Sequence, residues 1–529
     1  MSTKDEHGSG GDVLIGIDAG TSVIKAVAFD VEGETLASRS RPNRYAALAN
    51  GGVEQDMRRT LDDTLAVVAE LVTAEPSLAA RTVGLAVTGQ GDGTWLIDAA
   101  GEPVHDGWLW LDARSAVEAR ELEARAGYAR AYALTGTGVN VCQTRTHLAW
   151  MRTHAPELLR RSATALHCKD WLYFGLTGER ATDPSEGVFT FGSFATRDYD
   201  DEVIDGFGLG DCRRLLPPIV DGIERHAPLG AMAAKRTGLP AGLPVTLGYV
   251  DVICTALGGG LHSSDGRPGL SIVGSTGMHM RLARRIEDVV LNDERSGYTM
   301  CFPGGGVAQM QSNMAATLNI DWLLDLAVGA AALGGCTTSR ETLLAGLDDV
   351  VGSAPPGHVL YHPYISQAGE RGPFTDPDAR AGFCGLDTSC GFASLARAVY
   401  EGLALAARDC YDAMGERPEE IRLSGGATRS TALRGILAAA LERPVRIVER
   451  DEAGAAGACM IAAIGLGLYE DLDACRVAWV DSRLGEVQVP DAALAAHYAA
   501  LAPVYRGTRE ALGGTWAALA MLRDGGERA

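Results

Sequence analysis

At 529 residues the chain exceeds a single core of about 100 to 200 residues, so two domains or more are expected. Its 68 acidic and 47 basic side chains leave a formal net charge of −21, which argues against binding to a nucleic-acid phosphate backbone. A content of 46% hydrophobic and 22% charged residues is that of a globular chain with a full core and excludes a disordered one.

Residues 1–12 are polar and charged, with nothing apolar for a secretion or membrane-insertion machinery to read, and are expected to be a disordered tail. Val13 to Asp30 reads as two apolar strands joined by Asp18-Ala19-Gly20-Thr21-Ser22, a hairpin with a polar tip. A helix over Thr60–Leu71, a strand ending in a polar loop over Val83–Gly93 and an amphipathic helix over Arg114–Ala126 follow. The apolar strand Pro244–Leu247 runs into Gly248-Tyr249-Val250-Asp251-Val252. Nearly half the chain after the first hairpin, Leu270–Leu282 repeats its design around Gly274-Ser275-Thr276-Gly277.

Beyond it lie helices near Asn319–Ala327 and over Phe392–Met414, a strand Ile421–Leu423, the turn Ser424-Gly425-Gly426-Ala427 and a helix after Ser430. Ala453–Tyr469 is too glycine-rich and too short to span a bilayer and reads as a buried small-residue helix, so no membrane partner is expected. Pro490–Ala529 reads as helices that pack back on a domain or against another subunit, which leaves a homodimer open.

Alternating strands and helices give an α/β class. The repeated hairpin gives two related domains, 13–255 and 256–485, followed by a helical segment 486–529, and a duplication that faces itself makes a cleft. Eleven cysteines, an odd number without any Cys-x-x-Cys, speak against a disulfide framework and a zinc site and fit a reducing cytoplasm. Cys142, Cys168, Cys254 and Cys301 show no His or charge pattern and read as inert core thiols.

Taken singly, each polar cluster allows two readings. Asp18-Ala19-Gly20-Thr21-Ser22 can present N–H groups and hydroxyls to phosphates with Asp18 beside a hydrated Mg²⁺, or be an ordinary turn. Gly425 and Gly426 let a flat ligand such as adenosine approach, while Ser430 would equally serve as a helix cap. Asp251, alone at a strand end, can be a general base or a helix N-cap. Gln90 and Asp92 in the loop Thr88–Gly93, with Trp110 in Trp108–Arg114, can bind a polyol or be turn residues near a buried indole.

Their order along the chain resembles that of the FGGY carbohydrate kinases, which share the duplicated, ribonuclease H-like domain of the sugar kinase, Hsp70 and actin superfamily. Lys169-Asp170-Trp171-Leu172, Leu176-Thr177-Gly178-Glu179, Thr182-Asp183-Pro184-Ser185, Tyr361-His362-Pro363-Tyr364, Gly369-Glu370-Arg371-Gly372-Pro373-Phe374 and Arg397–Gly402 extend the resemblance from Val13 to about Leu468. It implies ATP-dependent phosphorylation of a small polyol or sugar, with Asp251 taking the proton from the attacking hydroxyl. It further implies that Thr21, Ser22, Ser275 and Thr276 hold phosphates, that Asp18 orients Mg²⁺, that Gly425, Gly426 and Ser430 contact adenosine, and that Gln90, Asp92 and Trp110 bind the acceptor.

The chain also departs from the pattern. Gly91 and Asp92 stand where glycerol kinases carry an arginine and a glutamate, and Cys142 falls about where they carry a tyrosine, which disfavours glycerol. Ser424, Leu433 and Gly435 replace a common glycine, Trp and Gln of the adenosine site. GIDAGTSVIKAVAF, VTGQGDGTWLID and GYVDVICTALG are most similar to family members that act on erythritol, implying transfer to a primary hydroxyl of that four-carbon alditol. A pentitol, a ketopentose such as xylulose, and glycerol are the alternative acceptors. A non-catalytic nucleotide or sugar sensor on the same fold is the reading from a different class.

Overall fold

The computed structural model describes residues 11–526, so most of the expected tail, residues 1–10, lies outside the described residues. The strand Val13–Ala19 is apolar on both faces and almost wholly buried, which places it inside a sheet covered on both sides. It pairs antiparallel with Val23–Asp30 across the first hairpin and parallel with Thr82–Gly89. The complete sheet has six strands in the order Ala227–Pro228, Pro244–Leu247, Thr82–Gly89, Val13–Ala19, Val23–Asp30 and Thr35–Pro42.

The second sheet repeats this plan. Pro268–Val273 pairs antiparallel with Gly277–Ala283 across the second hairpin and parallel with Glu420–Ser424. Its seven strands run Tyr298–Cys301, Val307–Asn313, Gly277–Ala283, Pro268–Val273, Glu420–Ser424, Val445–Val448 and Leu484–Gln488. In both sheets a hairpin and a third antiparallel strand lie to one side, two parallel strands to the other, and a short antiparallel strand closes the far edge, while the second sheet adds Tyr298–Cys301 as a fourth antiparallel strand on the hairpin side.

Glycines set how closely the central elements approach. Helix Ala453–Gly465 is buried along nearly its whole length and packs between the strand Val13–Ala19 and the helix Asp251–Gly258. A Cβ at Gly16 would lie 2.6 Å from the Ala455 carbonyl oxygen, and one at Gly457 would lie 1.9 Å from that of Cys254. Only glycine permits backbones this near. A helix from the second half of the chain therefore covers the first sheet.

Three local expectations change. The helix expected over Arg114–Ala126 shortens to Ala116–Glu123, because Arg114 is held 2.7 Å from Glu54 and 2.8 Å from Asp112 with its guanidinium 3.7 Å from the Trp108 ring centroid. Asp18 belongs to the strand, paired opposite Lys25, and not to the turn. The C-terminal segment opens with the end of the edge strand Leu484–Gln488 and continues as one helix, Ala492–Gly526. That helix docks on its own chain: Tyr498 donates to Glu401 at 2.7 Å, Arg509 reaches Asp409 at 2.8 Å, and Tyr505 and Trp516 are buried.

If the small-residue junction is as tight as these distances require, Gly457→Val lowers the apparent unfolding free energy by about 3 kcal/mol or more in urea titrations. Gly329→Ala, in a helix with nothing within 4 Å of the new Cβ, leaves stability unchanged or raises it by up to about 1 kcal/mol.

Candidate active site

Both hairpins face one cavity of about 400 Å³, lined among others by Thr21, Gln90, Asp92, Trp110, Asp251 and Thr276. Six of the sequence-predicted site residues are thus brought together. Ser22, Ser275, Gly425 and Gly426 lie exposed beyond that lining, and Asp18 also lies outside it, against the small-residue junction.

Asp251 is the first residue of the helix Asp251–Gly258, and Val250 holds the cap position without any side-chain cap bond. The N-cap alternative is not realised. The approach to Asp251 is rigid: Gly248 N–H donates to the Val87 carbonyl at 2.8 Å, the Thr88 hydroxyl to the Tyr249 carbonyl at 2.7 Å, and Val250 N–H to the Ser185 hydroxyl at 3.0 Å. Burial, reinforced by the nearby Asp18 charge, raises the Asp251 pKa to about 7 against the pull of the Val252 N–H and Lys169. A carboxyl so placed is partly ionised near neutrality and retains the proton affinity a general base needs.

Asp18 makes no side-chain hydrogen bond among the described residues, and burial raises its pKa to about 6. Lys25 opposes that rise, but it is already paired with Glu452 at 2.8 Å. Room for the Asp18 carboxylate exists because residue 454 is glycine; a Cβ there would sit 2.5 Å from Asp18 Oδ2. A half-buried carboxylate with no side-chain hydrogen bond among the described residues, near a second carboxylate, offers oxygen ligands of the kind a divalent cation takes.

One wall of the cavity is a hydrogen-bonded chain. Trp110 Nε1 donates to Thr21 Oγ1 at 2.8 Å, Thr21 Oγ1 donates to Gln90 Oε1 at 3.1 Å, and Gln90 Nε2 donates to Gln55 Oε1 at 3.1 Å. The single Thr21 proton is therefore committed to Gln90, which ties Thr21 to the acceptor cluster and leaves Ser22 as the free hydroxyl of the first turn. Asp92 adopts a left-handed φ of 53°. Its Oδ2 accepts from the Tyr298 hydroxyl at 3.3 Å, whereas its Oδ1 is buried with no partner among the described residues.

At the second turn the carbonyls of Gly274 and Ser275 accept the N–H groups of Thr317 and Ala316, leaving the Ser275 and Thr276 hydroxyls exposed. Gly425, at φ 89°, lies against this turn: a Cβ there would be 2.7 Å from the Val273 carbonyl oxygen. Ser430 caps the helix Thr431–Leu441, accepting from Leu433 N–H at 3.0 Å and donating to Asp348 at 2.6 Å. The capping alternative is what forms here, and its hydroxyl proton is already used.

Several residues went unassigned in the sequence. Tyr298, Asn140 and Arg371 line the cavity; Arg371 lies within the quoted segment Gly369–Phe374, whereas nothing local marks Tyr298. Behind Asp251, Lys169 is held 2.5 Å from both Asp170 and Asp183, and His167 lies 3.2 Å from Glu186. A Cβ at Gly91 would lie 2.4 Å from both Glu186 Oε1 and Val250 Cγ2, so no larger side chain fits there. Burial pushes the Cys142, Cys168, Cys254 and Cys301 thiols far above their ordinary value, as expected of inert thiols. Among the described residues no helix is long and apolar enough to cross a membrane.

Comparison with known proteins places this geometry. Residues 13–258 match the N-terminal domain, and residues 270–466 the C-terminal domain, of the FGGY family of carbohydrate kinases. The chain is 51% identical over 511 residues to erythritol kinase of Brucella abortus, covering 96% of this chain and 98% of that protein. It is 30% identical to xylulose kinase of Escherichia coli, covering 80% and 84%. The solved xylulose kinase from Rhodospirillum rubrum superimposes with a TM-score of 0.85 at 29% identity over 95% of this chain and 99% of that one. Two domain matches spanning most of the chain, on the duplicated sheets described above, establish that it belongs to the FGGY family of carbohydrate kinases.

Proposed function

We propose that the protein transfers the γ-phosphoryl group of ATP to a primary hydroxyl of erythritol, giving erythritol phosphate and ADP. The observation that carries this reading is a carboxyl of raised proton affinity, Asp251, inside a cavity that also holds an acceptor wall and faces both hairpin turns. The acceptor rests against Trp110 and Gln90, with its hydroxyls toward Asp92 and Asp251. Asp251 takes the proton as the acceptor oxygen attacks phosphorus.

Ser22, Ser275 and Thr276 offer donors to the phosphates, while Thr21 positions Gln90 and Trp110. Gly425 and Gly426, held against the second turn, give the adenosine a flat approach, and Ser430 shapes that surface through the helix it caps. Asp18 is the residue suited to Mg²⁺, which when bound would neutralise phosphate charge. In phosphoryl transfer positioning and charge neutralisation do most of the work, and excluding water prevents hydrolysis of ATP. The high identity to an erythritol kinase and the rigid, compact acceptor wall both support the four-carbon alditol. All eleven cysteines are free, which is compatible with the reducing cytoplasm that the sequence suggests.

Asp251→Asn is expected to lower kcat by roughly 10²- to 10⁴-fold while leaving nucleotide affinity within about twofold. Since the ionised form is the base, kcat/KM for the acceptor rises with pH, tenfold per unit below a pKa near 7, and levels off above it. A flat profile from pH 5.5 to 8.5 contradicts a proton affinity raised to that level, and near-full kcat in Asp251→Asn contradicts the assignment of the base. In a coupled ADP assay over erythritol, xylulose, glycerol and the pentitols, erythritol should give the highest kcat/KM. Robust turnover of another acceptor with none of erythritol rejects the substrate, and ATP hydrolysis that no polyol stimulates rejects the kinase reading.

A further inference from the structure

Most of the acceptor wall comes from the first half of the chain, yet two polar side chains enter the same cavity from the second. Tyr298 begins the strand Tyr298–Cys301, in register opposite Met310 of the neighbouring strand. Its hydroxyl donates to Asp92 Oδ2 at 3.3 Å and accepts from Asn140 Nδ2 at 3.0 Å. Arg371 sits on a loop strapped to the strand Val307–Asn313. Glu370 Oε1 accepts the N–H groups of Met314 and Arg371, each at 2.9 Å. Asn313 Nδ2 donates to the Gly372 carbonyl at 2.9 Å, and the Ser296 hydroxyl to that of Pro373 at 2.5 Å.

So firmly held a loop carries a guanidinium that has no hydrogen-bond partner among the described residues, although it lines the cavity and its charge acts on Asp92, Cys142 and Tyr298. Directly within its field lies Asp92, whose Oδ1 is buried and equally unpartnered. Leaving a buried polar atom without a partner costs about 1–3 kcal/mol, more for a charge, so the open Asp92 Oδ1 is matched to something that enters, and the half-buried Arg371 guanidinium lines the same cavity with its donors free. A guanidinium offers paired, fixed donors and no acceptor; a carboxylate offers only acceptors. Neighbouring hydroxyls of a polyol, each able both to donate and to accept, complement that combination.

We infer that Arg371, supported by Tyr298, is an acceptor-specificity residue: with Asp92 from the opposite half it clamps adjacent hydroxyls of the polyol, so that the acceptor pocket is complete only when both halves meet across it. The inference rests on the polyol-kinase reading but not on erythritol being the polyol.

The test compares the wild type with Arg371→Met, Arg371→Lys, Tyr298→Phe, Asp92→Asn and the Arg371→Met/Asp92→Asn double variant. The wild type is first assayed on the acceptor panel, so a different preferred polyol rejects erythritol and supplies the probe for this experiment. Calorimetry provides affinities for that polyol, or for erythritol if nothing turns over, and for ADP alone. Arg371→Met is expected to weaken the polyol by on the order of 10- to 100-fold in KM and Kd, with ADP affinity within about twofold as a check on folding.

Arg371→Lys should recover part of the loss, and Tyr298→Phe should cost a few-fold. The double variant should lose less than the product of the single losses. Unchanged polyol affinity in Arg371→Met, or single losses that simply multiply, overturns the inference. Should Arg371→Met fail to fold, Arg371→Lys and Tyr298→Phe decide: both at wild-type polyol affinity overturns it as well.

Discussion

Two carboxylates sharing one poorly solvated junction set the character of this protein. Asp18 lies one residue before the end of the strand Val13–Ala19 and Asp251 opens the helix that follows Pro244–Leu247, and the Asp18 charge makes Asp251 costlier to ionise. They can be so placed because glycine at 16, 454 and 457 allows a strand and two helices to approach until their backbones nearly touch. A larger residue at any of these positions would move the helix that carries Asp251 or fill the space around Asp18. The small-residue helix that the sequence marks as merely buried thus fixes where Asp18 and the Asp251 helix sit.

The two halves contribute unlike parts to the cavity. The first provides a pre-bonded wall, Trp110 to Thr21 to Gln90 to Gln55, that needs no rearrangement to receive a ligand. The second provides a turn whose carbonyls are tied down and whose hydroxyls are free, together with the Gly425–Gly426 approach behind it. Preorganisation of this sort suits a reaction whose difficulty lies in holding an alcohol oxygen in line with phosphorus while keeping water away.

Much of this was legible in the sequence. Both hairpins announce themselves by apolar runs around a polar tip, and Phe392–Met414 is an amphipathic helix observed as Phe392–Ala413. What local pattern could not reveal was the direction of a proton or the arrival of a residue from afar. Thr21 reads equally well as a phosphate donor until its hydroxyl is seen to face Gln90, and Ser430 as an adenosine contact until it is seen donating to Asp348. The empty position at Gly91 is explained by Glu186 and Val250, which fill it from distant segments. Tyr298 reaches Asp92 across more than two hundred residues of chain, a pairing no spacing rule encodes.

The most direct test is a crystal structure of the protein with a non-hydrolysable ATP analogue, Mg²⁺ and erythritol. The account predicts a primary hydroxyl of the alditol within hydrogen-bond distance of the Asp251 carboxylate and in line with the γ-phosphorus. An Asp251 side chain turned away from that oxygen in the closed complex, with another group in its place, would contradict it.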